Sequence, residues 1–257
     1  IMTLMEFRVR FAPSPTGPLH IGNVRAALYN WLFAKHEGGQ FFLRIEDTDR
    51  ARSDKKYEDD IISGLTWLGI NWDNQIYRQS ERLDLYEKYL KKLLDENLAY
   101  YCFCTAENLE IERQAQLSQG FAPKYSGRCR LLSLTEVNER LELKPAVIRF
   151  KIPEKTVCFN DIIRGRVEFD ATLLGDIIIA KSLREPLYNF AAAIDDFEMK
   201  ITHVIRGEDH ISNTPKQILI QESLGFAHPH YAHLPLVLGP DRKKLSKRYL
   251  ENSLIDY

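Results

Sequence analysis

The stretch "FAPSPTGPLHIGNVRAAL" at residues 11–28 sets three prolines and a glycine between a short alternating apolar run and an amphipathic helical pattern. Proline fixes φ and removes a backbone donor, so neither a strand nor a helix continues through it. The chain must therefore run strand, stiff turn, helix. Phe7, Val9 and Phe11 alternate with Arg8 and Arg10, as expected for a strand buried on one face and carrying cations on the other. The helix is predicted over residues 21–36 and is closed by Gly38 and Gly39. A second strand over residues 41–45 runs into the acidic "EDTD" of residues 46–49. Helices follow over residues 54–68 and 80–97, the latter placing Leu83, Tyr86, Leu90, Leu93 and Leu94 on one face. Strand, helix, strand, helix implies a parallel sheet, hence an α/β, Rossmann-like fold.

The rhythm changes near Tyr100. Residues 100–186 carry a cysteine cluster, a charged helix around residues 107–116 and the short strands "AVIRFKI", "RGRVEFD" and "DIIIAK", which predict antiparallel pairing in an inserted α+β module. The α/β pattern resumes over residues 187–239, with a strand at 203–207 and a helix at 213–224 whose first turn accepts Pro215. Residues 240–257 then begin a third region.

Composition narrows the function classes. At 257 residues, with 44% apolar and 28% charged residues, the chain can bury a real core, and no apolar stretch is long enough to cross a bilayer. The first residues lack signal-peptide and transit-peptide patterns, which places the protein in the cytoplasm; Ile1, ahead of Met2, is set aside. A net charge of −1 argues against a protein that coats nucleic acid, so RNA contact must use local patches. The four cysteines are too few for a secreted disulfide framework.

In an open parallel sheet the turn after the first strand is the usual phosphate site. Gly17 and Gly22 have the spacing of the framing glycines of a P-loop, but Asn23-Val24 stands where that motif requires Lys and Ser or Thr, and no G-x-G-x-x-G occurs. What remains is Thr16, His20 and Gly22 at a helix N-terminus, which favours anions. Gly22 lets a flat base approach, His20 can donate to a phosphate, and the prolines hold these groups in place. A merely structural Pro-rich turn with a capping His fits the same stretch. "KKLSKR" at 243–248 adds Lys244, Ser246, Lys247 and Arg248, by itself a solvated basic loop.

Taken together, "HIGN" and "KLSKR" resemble the two signatures of class I aminoacyl-tRNA synthetases. "RFAPSPTGPLHIG", "RIEDTDRAR", "YRQSERLDLYEKYLKKLL", "YNFAAAIDD" and "VIRGEDHISNTPKQ" resemble the bacterial-type glutamyl-tRNA synthetases, through essentially the whole chain to Arg248. The resemblance implies ATP-dependent attachment of L-glutamate to the 3′ end of tRNA(Glu) through a glutamyl-adenylate, releasing AMP and diphosphate. Its implied glutamate site is Arg10, Ala12, Ser14, Glu46, Tyr188 and Arg206, with Arg10 at the side-chain carboxylate and Glu46 at the ammonium. A structural ion pair is the plain reading of Glu46 and Arg206. Thr16, His20, Gly22 and Lys247 are implied at ATP and its Mg²⁺, with Lys244 and Ser246 beside them in the lysine loop. Asn23 departs from the His usual in the wider class, so His20 and Gly22 carry the inference. Residues 1–99 and 187–239 become the catalytic domain, residues 100–186 an acceptor-arm-binding module, and residues 240–257 the start of a stem-contact region. A monomer is expected.

Cys102, Cys104 and Cys129, with Tyr125 four residues before the last, suit tetrahedral zinc, with buried free thiols as the alternative. Leu131 stands where one version of the family has His, so Tyr125 must serve as fourth donor. Cys158 lies outside the cluster and is expected in the core. The family has a polar loop before a helix such as "YLENSLIDY", so a loop is expected to be missing after Arg248 and the chain to be an N-terminal part. Two alternatives stand: a paralogue that glutamylates a modified base in tRNA and lacks an anticodon domain, and a non-catalytic RNA-binding relative.

Overall fold

The computed structural model describes residues 6–238; Lys244, Ser246, Lys247 and Arg248 lie outside the described residues. The elements follow in the order β1 (Arg8–Phe11), α1 (Ile21–Glu37), β2 (Gln40–Ile45), α2 (Lys55–Trp67), β3 (Tyr77–Arg78), α3 (Leu83–Asp95), β4 (Ala99–Cys102), α4 (Ala106–Ser118), α5 (Leu134–Leu143), β5 (Val147–Phe150), β6 (Thr156–Asp161), β7 (Gly165–Asp170), β8 (Ile177–Ser182), β9 (Glu185–Pro186), α6 (Tyr188–Glu198), β10 (His203–Gly207), α7 (Thr214–Ser223) and β11 (His230–Leu234).

Helix boundaries follow side-chain chemistry. His20 caps α1, its Nδ1 accepting from Asn23 N at 3.4 Å, and Gly38 ends the helix at φ 63°, a left-handed conformation that glycine adopts without strain. Asp54 caps α2 and Ser133 forms a capping box with Glu136 on α5. Proline stands in the first turn of α7, where its missing N–H costs nothing.

β1, β2 and β3 form one parallel sheet in that order. The residue before β10 continues it: Thr202 N donates to Arg8 O at 2.9 Å, and Arg8 N donates to Thr202 Oγ1 at 2.9 Å. β10 pairs in parallel with β11, and Asp161 of β6 bridges to Tyr231 of β11, so the β6–β7 hairpin lies at the far edge. A separate antiparallel sheet runs β4-β5-β8-β9.

Both faces of β1 and β2 are covered. Val9, Phe11, Phe41, Leu43 and Ile45 pack with Val24, Ala27 and Ala34 of α1 and Ile61 and Leu65 of α2. Phe42 packs on the other side with Tyr86, Leu90 and Leu93 of α3 and Phe190, Ala191 and Ile194 of α6. The cationic face of β1 is therefore covered as well, Arg8 partly and Arg10 fully. Arg10 lies under α6, where only an ion pair makes its burial tolerable. Cys158 corrects the sequence expectation: it is exposed, because β6 alternates and Val157 and Phe159 take the inward positions.

Candidate active site

The carboxyl ends of β1, β2, β10 and β11 meet the N-termini of α1 and α6 around one cleft of about 780 Å³. Ligands of open parallel sheets bind at this end. Arg10, Ala12, Ser14, Thr16, His20, Gly22, Glu46, Tyr188 and Arg206 all line it, so every described residue expected at glutamate or ATP is brought to one place. The chain from Pro13 to Pro15 is tied to its surroundings by backbone bonds, Glu46 N to Pro13 O at 2.9 Å and Asp54 N to Pro15 O at 3.0 Å. The stiff turn is thus fixed to the ends of β2 and α2.

At the N-terminus of α1, the cap bond makes His20 Nδ1 an acceptor, which leaves the proton of the neutral ring on Nε2. A methyl group on Gly22 would sit 3.1 Å from His20 Nδ1 and Cε1. The first turn of α1 has no acidic residue of its own, although Asp60 Oδ2 of α2 accepts from Leu19 N at 2.6 Å just ahead of the cap.

The floor of the cleft is a buried charge network. Asp196 accepts from Arg10 Nε at 3.0 Å and from Arg44 Nη1 at 2.7 Å, while Arg44 Nη2 donates to Glu46 Oε1 at 3.0 Å. Burial works against ionisation of Asp196, but the two guanidinium groups outweigh it and bring the carboxyl down to about 2. For Glu46 burial prevails over the pull of Arg44 and Arg10, and its carboxyl lies above its ordinary value. Asp195, beside it in the chain, lies 3.8 Å from Arg44 Nε and accepts from Gln79 at 2.8 Å, Tyr86 at 2.7 Å and Arg82 at 2.8 Å. Glu46 is thus ion-paired, though with Arg44 and not with Arg206, and it still borders the cleft.

Arg206 differs. Though only 6% exposed, it has no carboxylate within ion-pair distance among the described residues. It donates to Gln217 Oε1 at 2.9 Å, Thr214 Oγ1 at 2.7 Å and His233 Nε2 at 3.2 Å. A buried cation held by neutral acceptors keeps its charge for an incoming anion. Tyr188 pairs with His210, Oη to Nδ1 at 3.0 Å; burial, then Arg206, lower the His210 ring to about 4, which keeps it neutral.

Sequence reasoning missed Arg44, Asp195, Asp196, Asp161, His233 and Gln217. Their signal is present: an arginine inside the apolar run "FFLRI" and two adjacent aspartates closing the apolar "FAAAIDD". Charges in segments that must be buried require partners.

The cysteines converge on β4 and the segment after α4. Cys104 and Cys129 Sγ stand 3.7 Å apart, and Tyr125 Oη lies 3.4 Å from Cys102 Sγ and 3.5 Å from Cys104 Sγ. Tetrahedral zinc with sulfur at about 2.3 Å and oxygen at about 2.0 Å requires S···S edges of about 3.8 Å and S···O edges of about 3.5 Å. The donor set fits. Burial pushes the Cys104 thiol up to about 11, a cost that a bound dication reverses.

A Rossmann-like parallel sheet with an anion-favouring helix N-terminus and a charged cleft beyond its strand ends defines an α/β nucleotide-binding fold. The chain belongs to the tRNA synthetases class I (E and Q), catalytic domain, matching that family over residues 6–256. It is 52% identical over 263 residues to the glutamate–tRNA ligase of Desulforamulus reducens, covering 98% of this chain and 55% of that protein. It is 57% identical over 244 residues to the glutamate–tRNA ligase of a Hydrogenobaculum species, covering 94% and 52%. A crystal structure of the Elizabethkingia meningosepticum glutamate tRNA ligase in complex with its amino acid superposes with a TM-score of 0.88 at 45% identity, covering 96% of this chain and 53% of that one. The chain spans about half the length of the curated relatives it matches. Among the described residues no helix is long and apolar enough to cross a membrane.

Proposed function

We propose that the protein containing this chain attaches L-glutamate to the 3′ end of tRNA(Glu) in the cytoplasm. The glutamate α-carboxylate attacks the α-phosphorus of ATP, diphosphate leaves, and the terminal ribose hydroxyl of the tRNA then takes the glutamyl group and releases AMP. The observation that carries this reading is the presence, in one cleft, of a buried arginine with no carboxylate partner among the described residues, Arg206, and of a helix N-terminus at His20.

Arg10 and Arg206 suit the two-carboxylate character of glutamate, and Glu46 suits its ammonium. A guanidinium fork prefers a carboxylate to the neutral amide of glutamine. Ala12 and Ser14 border the amino acid, and Tyr188 closes its side. Thr16, His20 and Gly22 receive ATP, whose Mg²⁺ shares the charge of the phosphates. Lys247, with Lys244 and Ser246 beside it in sequence, stabilises charge that develops on the leaving diphosphate. Residues 100–186 serve as the acceptor-arm module, with Cys102, Cys104, Tyr125 and Cys129 as zinc ligands that fix its fold.

The test is ATP–diphosphate exchange by the full-length protein with glutamate and tRNA, followed by charging of intact and periodate-oxidised tRNA. Exchange and a charging activity abolished by oxidation of the terminal ribose are expected. Glutamate incorporation that survives oxidation would move the reaction to a base of the tRNA. Neither activity would leave a protein that only binds RNA.

A further inference from the structure

His233 of β11 is fully buried, and the glutamate and ATP roles above leave it unused. It stands between Asp161, the last residue of β6, and Arg206 of β10. Its Nδ1 lies 2.6 Å from Asp161 Oδ2, and its Nε2 lies 3.2 Å from Arg206 Nε and 3.0 Å from Thr214 Oγ1. An arginine only donates, so Nε2 must offer its lone pair. The ring proton therefore sits on Nδ1 and is donated to Asp161. This is one neutral tautomer, selected from both sides.

The consequence is electrostatic. Asp161 in direct contact with Arg206 would compete with an incoming carboxylate for the guanidinium, whereas the Asp196 that contacts Arg10 is shared with Arg44. An imidazole interposed between Asp161 and Arg206 grips the guanidinium with a neutral acceptor and leaves the charge standing. Burial, then the neighbouring Arg206, lower the His233 pKa and keep the ring from becoming a second donor. Asp161 is itself anchored in the hairpin turn, where Oδ1 accepts from Ile163 N at 3.0 Å and Arg164 N at 2.8 Å.

We propose that Asp161 and His233 are positioning residues for Arg206: through one fixed tautomer they aim a fully charged guanidinium at a carboxylate of the substrate. The inference rests on the glutamate reading given above. It also makes the β6–β7 hairpin, far from β1 in sequence, a determinant of amino acid binding.

The experiment measures tRNA-dependent ATP–diphosphate exchange by the full-length protein, with KM for glutamate and for ATP, in His233→Leu, His233→Gln and Asp161→Asn. Leucine fills the space without an acceptor and should raise the glutamate KM about tenfold or more while the ATP KM stays within about twofold. Glutamine retains a carbonyl oxygen near the Nε2 position and should restore most of the loss. Asparagine at 161 keeps the oxygen that caps the turn but presents an N–H₂ to the ring, forcing the proton onto Nε2, and should match leucine. In an Arg206→Ala background His233→Leu should cost nothing further. An equal cost in that background, or a parallel rise in both KM values, would overturn the positioning role. An unchanged glutamate KM in Arg206→Ala alone would instead overturn the assignment of Arg206 to the substrate.

Discussion

Arg10 and Asp196 are 186 residues apart in the chain and meet at 3.0 Å, both buried, where α6 lies across β1. The same carboxylate holds Arg44, so one aspartate fixes a cleft-lining cation and the floor beneath it. Removing it leaves the buried Arg10 without its carboxylate and takes from Arg44 its shortest ion pair, Arg44 keeping Glu46 at 3.0 Å; breaking a buried pair from one side costs about 3–5 kcal/mol. Asp196→Ala should therefore lower the denaturant midpoint sharply, and an unfolding curve within about 1 kcal/mol of the parent would show that the network is dispensable.

The pH dependence of stability follows from the same residue. The folded-state pKa of Asp196 is depressed from 3.8 to about 2, so its contribution is fully present above the unfolded value and is lost as pH falls through the folded one. The denaturant midpoint should decline between pH 4 and pH 2 with a component missing from Asp196→Asn. Identical acid slopes in parent and variant would remove Asp196 as its source.

The amino acid and nucleotide halves of the cleft should separate kinetically. Arg10→Ala should raise the glutamate KM by about tenfold or more, since a charge-assisted bond to a carboxylate is lost. Lys247→Ala should lower the rate of adenylate formation with little change in glutamate binding, because its charge is needed most as diphosphate leaves. Single-turnover measurement of adenylate with saturating glutamate distinguishes the two. An unchanged rate in the lysine variant excludes a transition-state role.

How far the sequence carried this picture depended on the kind of signal. The turn from Pro13 to Pro18, the caps at His20 and Asp54 and the glycine stop at Gly38 are local features, and the elements they bound form where they predict. Thr16, His20 and Gly22 were legible from their place in the turn after the first strand, where α/β ligands bind, and the rest of the cleft lining through the family resemblance alone. Arg44, Asp196 and His233 were not, because a buried charge is tolerable only with partners from distant elements. Asp161 and His233, 72 residues apart, become neighbours only when β6 adds to the edge of β11. Cys158 misled for a related reason: exposure along β6 is set by strand register, not by the apolar character of a thiol.

The cysteine cluster makes a compositional prediction. With S···S and S···O separations near the edges of a zinc tetrahedron, the purified protein should carry about one equivalent of zinc, and Cys129→Ser should lose most of it. Elemental analysis below about a tenth of an equivalent in the parent would return the cluster to buried thiols. Chelation should lower the melting temperature, because ligand binding to the folded state alone adds to its stability.

Gly22→Ala should separate stability from function. The position is the second residue of α1, where alanine's helix preference of roughly 0.5–1 kcal/mol is set against strain on the His20 cap, so the melting temperature should stay within a few degrees of the parent. The new methyl would lie 3.1 Å from two atoms of the His20 ring, and the ring must turn or shift to accept it. Either movement strains the cap bond to Asn23 and re-aims the Nε2 proton. ATP-dependent exchange should fall with a higher ATP KM, while glutamate binding, which the proposed function assigns to Arg10 and Arg206 on the neighbouring strands, is maintained. Loss of both together would mean that the turn from Pro13 to Pro18 transmits the disturbance. Retention of full exchange would mean that neither the ring position nor the open space at Gly22 matters to the nucleotide.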